Sequence, residues 1–319
     1  IDATNIPRID YTTGEGVVLL EPQSTNLISY SEDFSTWIPN GTPIITSDYG
    51  VSPDGNQNST RVQFDADERI RSSFSASGDI TFSAYLKGSG VITLRDNTNV
   101  HRQGITLTSE WIRHELSFNS TITSVQIQNQ SAGAVDCEIW GAQAEALPYA
   151  TSYIPTEGAI ATRLADSVTG AGDVNTFNST EGVLYAEMAA IGDTGLFEVV
   201  SLSDGGLSDI VAFVYRNTTN DFSAVVKTGG ATSLVKTISL ADAADFIKVA
   251  ISYKLNEFKF YINGVLEFAS TSGNTPIGLD TLQLADGNGT ANKFNGKVKA
   301  LAVFNEALTD SELECLTKI

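Results

Sequence analysis

The chain has 319 residues, 38 of them Asp or Glu against 19 Lys or Arg, for a formal charge of −19 with the histidines neutral. That balance repels phosphate backbones and anionic bilayers, so nucleic acid is excluded as an expected partner and membrane surfaces are disfavoured. Hydrophobic residues at 41% exclude wholesale disorder, and a charged fraction of only 18% leaves the polar surface to Ser, Thr, Asn, Gln and Gly, as in turn-rich sheet proteins.

The length suits two domains of roughly 150 residues each. No apolar run reaches the roughly 18 residues that a spanning helix needs, so no membrane insertion is expected. Ile1-Asp2-Ala3-Thr4-Asn5 has neither the basic segment nor the apolar core of a signal peptide, and it lacks an initiator Met; the chain reads as a processed protein or a fragment. Cys137 and Cys315 cannot make a disulfide framework and are expected as buried free thiols.

Taken in order, the pattern is strand and turn. Arg69 and Arg71 flank Ile70 in simple alternation. In residues 79–87, Ile80, Phe82, Ala84 and Leu86 share one face, with Thr81, Ser83, Tyr85 and Lys87 on the other, which is the period of a strand with one buried side. Residues 124–130 place Val125 and Ile127 inside, and Gln126, Gln128 and Gln130 outside. Val135, Cys137 and Ile139 alternate with Asp136 and Glu138, and turn clusters such as Pro53-Asp54-Gly55 and Gly88-Ser89-Gly90 separate the runs. A Pro/Gly-punctuated boundary falls near residues 153–168. Further strands are expected at about 182–190, 195–203, 209–216, 221–227 and 246–254. Asn263-Gly264 between two apolar runs predicts a type I′ hairpin. Thr309-Asp310-Ser311-Glu312 is a capping box opening a short helix pinned by Leu313 and Leu316. The expected fold is all-β: two tandem antiparallel β-sandwich (jelly-roll) domains with a short C-terminal helix.

Several strings carry a family resemblance. Residues 19–28, Leu-Leu-Glu-Pro-Gln-Ser-Thr-Asn-Leu-Ile, are followed by Tyr30-Ser31-Glu32-Asp33-Phe34 and Trp37. With Phe82 to Gly88, Trp111-Ile112-Arg113, Ile139 to Glu145 and Tyr149 to Thr156, this resembles modules of bacteriophage tail and virion proteins, themselves similar to jelly-roll carbohydrate-binding modules. The C-terminal half resembles laminin-G-like, concanavalin A-like lectin domains through Val249 to Tyr253, Phe260 to Gly264, Phe294 to Val298 and Phe304 to Leu313. The implied organisation is a lead-in over 1–18, a carbohydrate-binding-like jelly roll over 19–155, and a concanavalin A-like domain over 156–319.

Sugar sites combine an aromatic platform with planar polar side chains, because aromatic faces match pyranose C–H faces while amides and guanidinium groups pair with hydroxyls. The candidate groove is Arg69, Arg71, Tyr85, Gln126, Gln128 and Trp140; the alternative is an ordinary solvated sheet face. Trp37 and Trp111 read first as packing residues. Calcium is a candidate cofactor, held in the second domain by the oxygen-rich loop of Asp286 and Asn288 or in the first near Glu32 and Asp33; an acidic turn without metal is the competing reading. Arg113-His114-Glu115-Leu116 is loosely similar to a strand motif of concanavalin-fold polysaccharide lyases, but the partner motifs are missing, so His114 reads as a surface-strand residue.

No Glu-x-Asp-x-x-Glu strand, Gly-x-Ser-x-Gly elbow or phosphate loop occurs, and no enzyme activity is expected. The resemblance implies a non-enzymatic, glycan-binding virion protein: an extracellular tail-fibre or tail-tip component, trimeric by analogy, contacting other virion proteins and host cell-surface polysaccharide. Two alternatives stand beside it, a ligand-free structural virion or capsid decoration protein, and accessory carbohydrate-binding modules of a secreted polysaccharide-degrading enzyme.

Overall fold

A computed structural model describes residues 8–12, 14–192 and 194–319. The chain forms two compact units, Gln23–Leu164 and a second made of Ile1–Pro22 with Ala165–Ile319. The sequence places its boundaries at 18/19 and 155/156; the junctions between the units fall four and nine residues later. The chain opens with β1 (Arg8–Asp10) and β2 (Val17–Leu20). The first unit follows with β3 (Ser24–Asn26), β4 (Ile38–Asn40), β5 (Ile44–Thr46), β6 (Thr60–Phe64), β7 (Arg69–Ser89), β8 (Val91–Asp96), β9 (Arg102–Thr106), β10 (Ile112–Gln128), β11 (Val135–Glu145) and β12 (Ala161–Arg163).

This first unit is organised by two long partners. β7 alternates over its whole length, and its even-numbered Ile70, Ile80, Phe82, Ala84 and Leu86 are buried in one core with Val62, Leu94 and Ile127. β10 pairs with it antiparallel from Ile112↔Leu86 to Gln128↔Arg69. A register shift between Ile122 and Ser124 sets Phe74 and Ser75 of β7 against the single Thr123 of β10, and across it the core-facing positions of β10 switch from even Ile122 to odd Val125 and Ile127. The full order is β5-β6-β11-β7-β10-β8-β9, with β4 also on β7. Trp37 joins the core, its ring 5.0 Å from Phe34 and its Nε1 donating to the Tyr30 carbonyl.

β11 carries a second irregularity between Trp140 and Gln143, where Gly141 sits at φ +61°. A Cβ there would lie 3.2 Å from the Tyr85 ring. Gly141→Ala is therefore expected to lower the stability of this sandwich by about 1–2 kcal/mol, read as a shift of the urea midpoint.

The second unit continues with β13 (Glu181–Ala190), β14 (Glu198–Ser203), β15 (Ile210–Tyr215), β16 (Asp221–Thr228), β17 (Ala231–Ser239), β18 (Ile247–Lys254), β19 (Glu257–Ile262), β20 (Val265–Ser270), β21 (Thr281–Gln283) and β22 (Gly296–Phe304), then the helix α1 (Asp310–Thr317). Its sheets run β1-β2-β22-β13-β18-β19-β20 and β17-β16-β15-β14-β21, enclosing Leu184, Phe213, Phe222, Phe258 and Phe260. The stretch expected as a lead-in belongs to this sandwich: β2 pairs with β22 through Val18↔Val298, and Arg8 bonds Glu21 and Asp166. Residues 1–7 of that stretch lie outside the described residues.

Asn263 and Gly264 take φ of 50° and 80°, both positive as the type I′ turn requires. The capping box of α1 is complete, with Thr309 accepting from the Glu312 amide and Glu312 accepting from the Thr309 amide. Leu313 packs among Val183, Tyr185 and Tyr261. The expectation of two buried thiols holds for Cys137 only; Cys315 is exposed. Two residues beyond Leu313 is about 200° around a helix, which turns Cys315 away from the sheet. Among the described residues no helix is long and apolar enough to cross a membrane.

Candidate functional site

The outer face of the first sandwich, opposite its core, carries a row of planar polar side chains. Cross-strand register places Arg71 on β7 beside Gln126 on β10, Gln126 beside Arg95 on β8, and Arg95 beside Arg102 on β9. The adjacent row is Arg69, Gln128 and Thr93. At about 4.8 Å per strand interval, the Arg71–Arg102 row spans roughly 14 Å.

The sequence directs Gln126 and Gln128 to solvent. They do leave the core, but they are only 3% and 5% exposed. Gln128 accepts from the Arg95 guanidinium at 2.6 Å and donates to the Asp67 carbonyl, while Gln126 Nε2 donates to Ser124 Oγ. Arg95, 8% exposed, also donates through Nε to the Asp96 carbonyl. Burial, with repulsion from Arg69 and Arg102 added, pulls its pKa below the ordinary arginine value, against an opposing pull from Asp96. Arg71 and Arg102 are exposed and Arg69 is half-buried. Alternation reports the face a side chain takes, and these glutamines are the buried layer of a polar face. Arg95 and Arg102 were not singled out by sequence, although Thr93 and Arg95 alternate with Ile92 and Leu94 in a readable way.

Tyr85 and Trp140 do not join this shelf. They are paired in register near the opposite end of β7, roughly 50 Å of extended chain from Arg69. There the Trp140 ring lies 5.4 Å from Tyr85 and 4.7 Å from Tyr153, and is buried. Thr81 and Ser83, expected on a solvent face, are buried too: Thr81 donates to the Leu147 carbonyl, and Ser83 accepts from Arg113. The segment after β11 folds over this part of the sheet, so the aromatic platform and the amides of the sequence-based groove are separate places.

The Asp286–Thr290 loop uses its oxygens on itself. Asp286 Oδ1 accepts from the Thr290 and Ala291 amides, and Asn288 Oδ1 accepts from the Thr290 amide and hydroxyl. This is the geometry of a side-chain-capped turn. A cavity of about 730 Å³ in the first unit is lined by Tyr30, Glu32, Asp33, Asp48 and Glu157, among others. Glu32 accepts there from the Tyr153 hydroxyl and from Asn58. Among the described residues, no three His, Cys, Asp or Glu side chains are grouped to hold a metal ion.

Residues 184–314 match a laminin-G family of the concanavalin A-like lectin/glucanases superfamily, which covers less than half of the chain. No curated protein matches in sequence. Similar solved structures include the CBM40 module of a Ruminococcus gnavus IT-sialidase, at 14% identity and TM-score 0.39 over 48% of this chain and 97% of that one. A SAP-like pentraxin from Limulus polyphemus is similar at 11% identity and TM-score 0.35, over 46% and 72%. Domains LG4-5 of the mouse laminin α1 chain match at 10% identity and TM-score 0.33, over 97% and 96%.

Proposed function

We propose that this chain is a non-catalytic glycan-binding protein that uses the outer face of its first sandwich. The observation that carries the reading is the Arg71–Gln126–Arg95–Arg102 row with Gln128 behind it. The exposed guanidinium groups of Arg71 and Arg102 present several donors to hydroxyls, over a buried layer in which Gln128 holds Arg95. The lectin-superfamily match over 184–314 supports a second sandwich of a carbohydrate-associated fold. The further assignment, to a virion attachment component on host surface polysaccharide, rests on the family resemblance of the sequence alone, and its trimeric state on analogy with phage fibres.

Weak single sites on several copies would gain strength through effective concentration. The test is retention of the purified protein on a panel of extracted bacterial surface polysaccharides, with calcium present. Specific retention by at least one, reduced fivefold or more in Arg71→Ala, is the expected result. A folded protein that no glycan retains would leave a purely structural role in its place.

A further inference from the structure

The four arginines of the shelf are unusual in this chain. There are only nine arginines in all, against 38 acidic residues. Elsewhere Arg8 pairs with Glu21 and Asp166, and Arg61 with Asp136, while Arg113 and Arg216 are isolated single cations that donate to neutral oxygens. Among the described residues, none of Arg69, Arg71, Arg95 and Arg102 has a carboxylate at ion-pair distance. Asp96 is the adjacent acid, and its Oδ2 accepts from Thr98. Gathering four cations without carboxylate partners costs mutual repulsion, and partly burying one of them adds a desolvation cost. Arg69 Nε is, in addition, a buried donor with no hydrogen-bond partner; Gln126 Oε1 and Asp96 Oδ1 are buried acceptors in the same state, which an anion does not serve. A bound anion would offset both costs, since guanidinium forks take oxyanions in bidentate pairs.

Resting on the glycan-binding reading above, we infer that the ligand class is an acidic polysaccharide, its sulfate or carboxylate groups seated on Arg71, Arg95 and Arg102. The spacing supports a chain with separated charges. Arg95 and Arg102 are one strand interval apart, about 5 Å, and Arg71 and Arg95 two intervals, about 10 Å. A duplex nucleic acid places one charge per about 1.7 Å along its axis and would bring a wide charged surface against a −19 chain. A single polysaccharide strand engages the shelf alone, and beyond a Debye length of about 8 Å at physiological salt the remaining acidic surface is largely screened.

The test is affinity electrophoresis of the whole chain in gels containing dextran, dextran sulfate, polygalacturonate or duplex DNA. Dextran sulfate or polygalacturonate should retard the protein at least tenfold more strongly than dextran, and the stronger of the two identifies sulfate or carboxylate as the preferred group. Arg71→Ala/Arg102→Ala should lose at least tenfold of that affinity and much of its salt dependence. Both positions are exposed, so the variant should keep the wild-type melting temperature. Arg71→Lys/Arg102→Lys should lose less, because charge is kept and the fork is lost. Equal retardation by dextran and dextran sulfate would overturn the acidic class while leaving glycan binding standing. Retardation by duplex DNA as strong as by the acidic polysaccharides, or full binding by the double alanine variant, would overturn it as well. Failure of every glycan, on the panel and in the gels, would remove the glycan-binding reading itself.

Discussion

Replacing Glu198 with Gln should make the second sandwich more stable above pH 7, by up to about 3 kcal/mol, and leave it nearly unchanged below pH 4. Glu198 starts β14 and is 2% exposed. Its Oε1 accepts two long bonds, from Thr194 Oγ1 and Asn295 Nδ2, both 3.3 Å, and its Oε2 is buried without a partner. No cation pairs with it among the described residues, and Tyr215 stands opposite it in register. Burial pushes its pKa up to about 7 from an ordinary 4.5, with the bonds from Asn295 and Thr194 pulling the other way.

The sign follows from proton counting. Between pH 4.5 and 7 the folded state holds a proton that the unfolded state has released, so stability falls as pH rises through this window. Above pH 7 a buried carboxylate remains as a fixed penalty, which the neutral amide avoids. Calorimetry from pH 4 to 9 should show the gap between variant and wild type opening between pH 5 and 8, reaching roughly 6–12 °C. Parallel curves for the two proteins would mean that Glu198 is ionised in the folded state and finds stabilising partners.

The strands were legible as short apolar runs bounded by turn residues. The runs at 182–190, 209–216 and 246–254 match β13, β15 and β18 to within a residue or so. β17 was missed because Thr, Lys and Ser interrupt its apolar pattern, as suits an edge strand with one wet face. The groove was legible only in part. Local period separates core face from outer face, but it cannot say that a 21-residue strand puts Arg69 and Tyr85 at opposite ends, or that arginines overlie a glutamine layer. Those facts depend on the pairing of β7 with β10 and of β10 with β8, between residues far apart in sequence.

The strings that carried the family resemblance have another use, which predicts the largest single effect in the first sandwich. Asn26 of the lead-in is fully buried and bonds four backbone groups: its Nδ2 donates to the carbonyls of Ala142 and Ile154, and its Oδ1 accepts from the amides of Ile28 and Ala144. Gln143 accepts from the Ile154 amide, Glu145 accepts from Ser24 and Thr151, and Thr156 donates to the Ile28 carbonyl. Three stretches of sequence are thus sewn into one clasp, which commits these residues to closure of the fold. Asn26→Ala would strand four buried backbone groups, and at about 1–3 kcal/mol for each unsatisfied group the loss should be about 4 kcal/mol or more even after relaxation. Asn26→Asp, at pH values where its carboxyl is protonated, keeps the acceptor and one of the two donors, and should cost less than alanine. Urea unfolding followed by tryptophan fluorescence suits the measurement, because Trp37, Trp111 and Trp140 all lie in this unit. A loss under 1 kcal/mol for Asn26→Ala would mean that water or a shifted backbone replaces all four bonds, and the clasp would then not be what closes the sandwich.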